Sequence, residues 1–94
     1  MLRPQSIRLT QVLPMATGIL RLTWDDQVMR DVDVRPMMTR HLVLEMLAVP
    51  EVFRDVSVVP GGGGMEWPNG ADFSARSLRV WADEQNDMNA RKAP

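Results

Sequence analysis

The densest group of side chains that could do chemistry is a set of aspartates: Asp25, Asp26, Asp31 and Asp33. A strand would place the carboxylates of Asp31 and Asp33 on one face, where such a pair can bind a hard cation or act as general acid and base. Arg21 and Arg30 are near enough in sequence to neutralise them, and hairpin turns favour aspartate for local hydrogen bonding. We therefore expect no metal here, and a metal-dependent enzyme or hydrolase stays a minor alternative.

His41 is the only histidine in the chain. It precedes Glu45 by four residues, a spacing typical of an ordinary pair on a helix surface. A catalytic dyad needs an activated nucleophile, and neither a G-x-S-x-G motif nor a cysteine is present. The sequence thus predicts no catalytic residue, no cofactor and no enzymatic activity.

Four consecutive glycines, Gly61 to Gly64, invite comparison with a phosphate-binding loop. A P-loop needs a lysine and a hydroxyl directly after its glycines, and the first lysine here is Lys92. A dinucleotide-binding loop opens a helix directly, whereas here a strand candidate and Pro68 intervene. We predict a flexible hairpin connection.

The tryptophans Trp24, Trp67 and Trp81 each lie at an apolar phase of their element, which favours the core. Tryptophan is also enriched at interface hot spots, so a groove for a partner is the alternative. The candidate partner-binding residues are Trp24, Trp67, Arg76 and Arg79. The eight methionines are dispersed, which favours core filling over copper binding.

Charge and hydropathy limit the partners. The net charge is −1 and the ten arginines are scattered, so direct nucleic-acid binding by this chain alone is not expected. No apolar run reaches about 18 residues, which predicts no membrane span. The first residues lack the apolar core of a signal peptide, and we expect a cytoplasmic protein.

The predicted fold is α+β, a small antiparallel sheet of four to five strands with two helices on one side. One domain is expected over residues 1–85, followed by a polar, disordered tail at 86–94. The predicted strands cover residues 6–13, 19–24, 28–34, 55–59 and 65–67, and the helices cover 40–48 and 74–84.

The central hairpin has a register that can be derived. A three-residue turn sets Trp24 opposite Val28, and it pairs Leu20 with Val32 and Arg21 with Asp31. Each such pair contributes roughly 0.2–1 kcal/mol, whereas a two-residue turn would oppose like charges. The three-residue turn requires a left-handed backbone at Gln27.

The last predicted helix has start signals. Ser74 is placed to accept hydrogen bonds from backbone N–H groups of the first turn. Phe73 and Leu78 are spaced as a hydrophobic staple across that turn.

The block Trp67-Pro-Asn-Gly-Ala-Asp-Phe-Ser74 carries a family resemblance. Together with the Asp-rich hairpin turn, the Val32-Asp-Val-Arg-Pro36 step and the leucine-rich segment ending in Phe53, it resembles a bacterial family called domain of unknown function 2442. The resemblance covers roughly residues 6–82. Two departures are Gln27, where the family usually has glycine, and Ala75-Arg76, where it often has proline and an acidic residue.

The resemblance implies an α+β fold and no established enzymatic activity. Members of the family occur alone or joined to a C-terminal helix-turn-helix domain, and some are encoded beside small toxin-like genes. The residues after Trp81 are too few for a helix-turn-helix. We therefore expect that any role in DNA binding would need a partner.

The leading hypothesis is a non-catalytic interaction or regulatory module, acting as a homodimer or as the partner of a small toxin-like protein. The alternative is a nucleic-acid-linked transcriptional regulator that acts through a partner, with Arg76 and Arg79 near phosphates.

Overall fold

A computed structural model describes residues 7–39 and 42–92 as two antiparallel three-stranded sheets with short helices and one long helix. The first sheet contains β1 (Leu9–Ala16), β2 (Ile19–Trp24) and β3 (Met29–Asp33). The short helical segments are α1 (Arg35–Met38), α2 (Leu42–Glu45), a 3-10 turn (Met46–Ala48) and α3 (Pro50–Arg54). The second sheet contains β4 (Ser57–Val58), β5 (Gly64–Glu66) and β6 (Asp72–Ser74), and α4 (Ala75–Lys92) follows.

The α+β class with antiparallel pairing is confirmed, but the prediction of one sheet with four to five strands is wrong. The prediction of two helices is also wrong, because the short helices α1 and α3 are present as well. β5 pairs with β6, not with the first sheet, in the register Gly64↔Ser74 and Glu66↔Asp72. β6 was not predicted at all. Its three residues are too few to show the alternation of apolar and polar positions by which a strand is recognised.

Element boundaries differ from prediction, most of all at β1, at the helix over 40–48 and at α4. β1 continues through Pro14 to Ala16, because Pro14 lies in an edge strand where its missing N–H is not needed. The predicted helix over 40–48 is seen as α2 and the 3-10 turn, and residues 40 and 41 lie outside the described residues. α4 runs on to Lys92, through residues predicted to form a tail. Within the described residues, no helix has the length and apolarity to cross a membrane.

The hairpin of β2 and β3 has the predicted register. Leu20 pairs with Val32 and Arg21 with Asp31, and the Trp24 N–H donates to the Val28 carbonyl at 3.0 Å. Gln27 has φ of +68°, the left-handed conformation that the three-residue turn requires.

One hydrophobic core lies between the two sheets and the helices. It includes the predicted apolar face of the hairpin and the side chain that α3 contributes, Phe53. The largest fully buried side chains are Trp24, Phe53, Leu20, Leu22, Leu47, Met65, Leu78, Val32 and Val34.

The glycine segment connects β4 to β5, as predicted, and it also joins the two sheets. The Gly62 carbonyl accepts a hydrogen bond from the Leu9 N–H at 2.7 Å, and the Gly63 carbonyl accepts one from the Ala75 N–H at 2.9 Å. Gly62 has φ of +79°, and a Cβ there would lie 2.7 Å from the Leu9 carbonyl oxygen. The glycines therefore allow backbone to approach backbone between β1 and the start of α4.

Replacing Gly62 should test this packing against a matched control. We expect Gly62→Ala to lower the free energy of unfolding by about 2 kcal/mol, because it adds left-handed strain to a backbone collision. Gly63→Ala meets nothing within 4 Å and should leave stability unchanged or raised by up to about 1 kcal/mol. Urea unfolding of both variants measures the difference, and equal stabilities would contradict the assignment.

Candidate interaction surface

The predicted acidic cluster is divided among separate arginines. Asp31 binds Arg21 through two hydrogen bonds of 2.8 and 3.2 Å, and Asp33 binds Arg35 through bonds of 2.9 and 2.7 Å. These hydrogen bonds lower the pKa of both aspartates and raise the pKa of both arginines. Among residues 7–39 and 42–92, no group of three acidic, histidine or cysteine side chains is arranged to hold a metal ion.

Asp26, in the hairpin turn, binds the helix α4. Arg79 reaches it with two hydrogen bonds of 3.1 and 2.9 Å, which lower the pKa of the Asp26 carboxyl. The Arg79 guanidinium also lies 5.2 Å from the centre of the Trp24 ring, a cation–π geometry, and 3.6 Å from Asp83. Arg79 is thus engaged inside the molecule, with its side chain only 16% exposed.

The two candidate tryptophans are buried. The Trp24 indole N–H donates to the Ala75 carbonyl at 3.1 Å, and that of Trp67 donates to the Phe53 carbonyl at 2.9 Å. Trp67 also contacts the rings of Phe53 and Phe73, each with centroids 5.9 Å away. Neither indole lies on the surface, so both side chains belong to the hydrophobic core.

The remaining candidates have different positions. Arg76 is exposed in the first turn of α4 and takes part in none of the ion pairs found among the described residues. Ser74 accepts a hydrogen bond from the Ser77 N–H at 3.1 Å, which confirms the predicted cap. His41 lies outside the described residues.

The outer edge of β3 is one place where backbone groups lack a neighbouring strand. In an antiparallel ladder, every second residue of a strand bonds to the neighbouring strand, and the backbone groups of the residues between point away from it. The Val28 carbonyl accepts from the Trp24 N–H at the end of β2, and the Val34 N–H donates to the Gly18 carbonyl in the turn before β2. The N–H and C=O of Met29, Asp31 and Asp33 therefore point outward. At Asp33 both groups are occupied, since the Gln85 amide accepts from the N–H and donates to the C=O, each at 2.9 Å.

Gln85 marks the end of a groove of about 380 Å³ between β3 and α4. The volume is at the lower end of the range of about 300–1,000 Å³ for ligand pockets. Its lining residues are Arg21, Met29, Arg30, Asp31, Ala82, Gln85 and Asn86. The outward N–H and C=O of Asp31 have no hydrogen-bond partner in the described part of the chain, and the Met29 side chain is 54% exposed.

Sequence reasoning missed this groove. A signal was present for Arg30, since it lies at the same strand phase as Val28 and Val32 and so points to the buried side. No signal was available for Gln85, because it depends on where α4 crosses β3. Asp31 was predicted for its carboxylate, whereas its backbone forms the open edge.

The chain belongs to the family described as protein of unknown function DUF2442, whose model matches residues 9–84. This match confirms the family resemblance carried by the tryptophan-proline-asparagine-glycine block. None of the curated proteins compared matches the chain.

A solved structure from Nitrosomonas europaea ATCC 19718 is similar to this one, and its protein is named "Putative DNA Binding Protein NE0471". The two share 29% sequence identity with a TM-score of 0.79. The match covers 93% of this chain and 56% of the other. This chain therefore spans about half the length of that protein.

The ion pairs predict how stability depends on pH. The folded-state pKa of Asp26, Asp31 and Asp33 is lowered, so their stabilisation is fully present above the unfolded-state pKa, about 3.9. It is lost as the pH falls through the lower folded-state values. Asp33→Asn should make the decline in the urea midpoint between about pH 5 and pH 2 shallower. Arg35→Gln should do the same, because it removes the donor, and an unchanged slope in both variants would contradict the assignment.

Proposed function

We propose that this chain is a non-catalytic interaction module that binds another protein chain along the outer edge of β3. The observation that carries the proposal is the open backbone of Asp31, flanked by Met29 and α4 in a groove. An extended segment can add to such an edge through main-chain hydrogen bonds, a common mode of peptide recognition.

The pairing of the acidic side chains with arginines supports a non-catalytic role. A general acid, a general base or a metal ligand needs a carboxylate that is free to exchange protons or accept a cation. Asp26, Asp31 and Asp33 each accept two hydrogen bonds from an arginine side chain and lie at the surface. Their low pKa values keep them ionised and committed to these pairs.

The proposed partner is a different small protein, such as one encoded nearby, and a homodimer is the alternative that the experiment below distinguishes. The family context favours a regulatory role beside a small toxin-like protein. A cytoplasmic location and a bacterial origin remain predictions within this proposal.

A proline substitution at Asp31 should separate edge pairing from loss of the ion pair. Asp31→Pro removes the outward N–H and places the ring in the groove, whereas Asp31→Ala removes the same carboxylate and keeps the N–H. We expect the association constant to fall about tenfold for Asp31→Pro only. Sedimentation velocity measures it, both for the protein alone and with the product of the adjacent reading frame. Urea unfolding confirms that both variants fold.

A second pair of variants, Met29→Pro and Met29→Ala, repeats the comparison at the neighbouring outward position. Equal behaviour of the proline and alanine variants at both positions would contradict edge pairing. A strict monomer that does not bind the adjacent gene product would contradict the interaction module itself.

A nucleic-acid-linked regulator that acts through a partner is the second candidate function. The observation that favours it is the similarity to a protein named as a putative DNA-binding protein, over about half of that protein's length. In this chain Arg76 is exposed at the start of α4, while Arg79 is engaged by Asp26. A contribution to phosphate binding is therefore proposed for Arg76 rather than Arg79.

This second candidate predicts a salt-dependent shift of duplex DNA. In the presence of the partner, the affinity should fall steeply between about 50 and 200 mM salt, as phosphate contacts release counterions. Arg76→Gln should weaken binding and reduce the salt slope by about one, whereas Arg54→Gln, an exposed control, should not. No shift at low salt, with or without the partner, would exclude this candidate.

A further inference from the structure

Arg30 places a positive charge in the groove without a counter-charge. The residue is half-buried, its Nη1 donates to the Met29 carbonyl at 2.9 Å, and its buried Nε has no hydrogen-bond partner among the described residues. Arg21, Arg35 and Arg79 each bind an aspartate, but Arg30 is in none of the ion pairs of the described chain.

The nearest carboxylate in sequence cannot neutralise Arg30. Asp31 follows it directly, so its side chain points to the opposite face of the strand. There it is held by Arg21, its partner on β2. No other carboxylate of the described residues lies within ion-pair distance of Arg30. A carboxylate of a bound partner would match the guanidinium in charge and in hydrogen-bond geometry.

The geometry of an added strand defines where that acidic group would lie. A strand that pairs with the outward groups of Asp31 and Met29 places one residue directly opposite Arg30. Its side chain lies on the same face, with the two Cβ atoms about 4.5–5.5 Å apart. The residues on either side of it point to the other face, where the exposed Met29 side chain offers an apolar contact.

Gln85 occupies part of this edge and limits the length of a segment that could pair with it. Its side-chain amide already makes the two hydrogen bonds at Asp33 that a neighbouring strand would make. The amide closes one end of the edge, and the Arg30 side chain already bonds to the Met29 carbonyl. Among the outward groups from Met29 to Asp33, the Met29 N–H and both groups of Asp31 remain open. The groove therefore suits a short extended segment and not a long strand.

Pairing of this edge with a second copy of itself is disfavoured. An antiparallel pair centred on Arg30 would place the two Arg30 side chains opposite each other, and opposed like charges destabilise a sheet. A pair centred on Asp31 would bring Met29 against Asp33, whose outward groups are taken by Gln85. The open edge is thus better matched to a different chain.

We propose that the groove binds a short extended segment of a partner protein in which an aspartate or glutamate lies opposite Arg30. This proposal rests on the proposed interaction function and adds the chemistry of the partner. Main-chain hydrogen bonds to Asp31 supply the pairing, and the carboxylate supplies selectivity.

The test uses labelled peptides of alternating valine and threonine, about nine residues long, with a central glutamate, glutamine or lysine. Fluorescence anisotropy should show the glutamate peptide binding about tenfold more tightly than the glutamine peptide, and the lysine peptide binding most weakly. The advantage of glutamate should shrink as salt is raised.

Variants then assign the preference to Arg30. Arg30→Gln should remove the difference between the glutamate and glutamine peptides, whereas Arg30→Lys should keep part of it because the charge remains. Asp31→Pro should weaken all three peptides more than Asp31→Ala does, because only the proline removes the outward N–H. Urea unfolding verifies that each variant is folded.

The outcomes separate this proposal from the function on which it rests. Equal binding of the glutamate and glutamine peptides, or a preference that survives in Arg30→Gln, would overturn the role of Arg30 and leave edge pairing standing. Failure of every peptide to bind would also overturn it. Loss of the interaction function would instead appear as an Asp31→Pro variant that behaves like Asp31→Ala in both peptide binding and sedimentation.

Discussion

The hydrogen bond from the Trp24 indole to the Ala75 carbonyl is the interaction on which the other contacts of α4 depend. It joins the end of β2 to the first residue of the helix, in the core, where an unpaired indole N–H would be costly. Along the helix, Arg79 then meets the hairpin turn at Asp26, and Gln85 meets β3 at Asp33. Three successive contacts lay the helix along the hairpin, and this course makes α4 the second wall of the groove.

The same junction explains why the chain needs its glycines. Ala75 donates its N–H to Gly63 while its carbonyl accepts from Trp24, so the start of α4 is tied to both sheets. Leu9 bonds to Gly62 one residue away. A side chain at Gly62 would push β1 away from the glycine loop. Because β1 pairs with β2 of the hairpin, β1 would lose its alignment with α4.

The parts of the fold that could be predicted are those governed by local rules. Charge pairing and turn geometry determined the register of Arg21 with Asp31, and Ser74 signalled the start of α4 within one residue. β6 was missed because three residues carry no period, and the groove was missed because it arises where Gln85, fifty-two residues after Asp33, crosses the sheet edge. Trp24 and Trp67 had an apolar phase that correctly indicated burial, whereas Trp81 is only partly buried, and the preference of tryptophan for interfaces pointed the other way.

Features at both borders limit how far the first sheet can grow. On β1, Pro14 lies opposite Leu20, whose backbone groups are used by β3, so the proline nitrogen faces away from the sheet and offers no donor. On β3, the Gln85 amide occupies the edge at Asp33, and Arg30 opposes stacking of identical copies. A fibril grows by repeated addition of the same strand in register. Both borders of this sheet interrupt that repetition, so the segment proposed to bind beside Asp31 would add one strand without starting polymerisation of the chain itself.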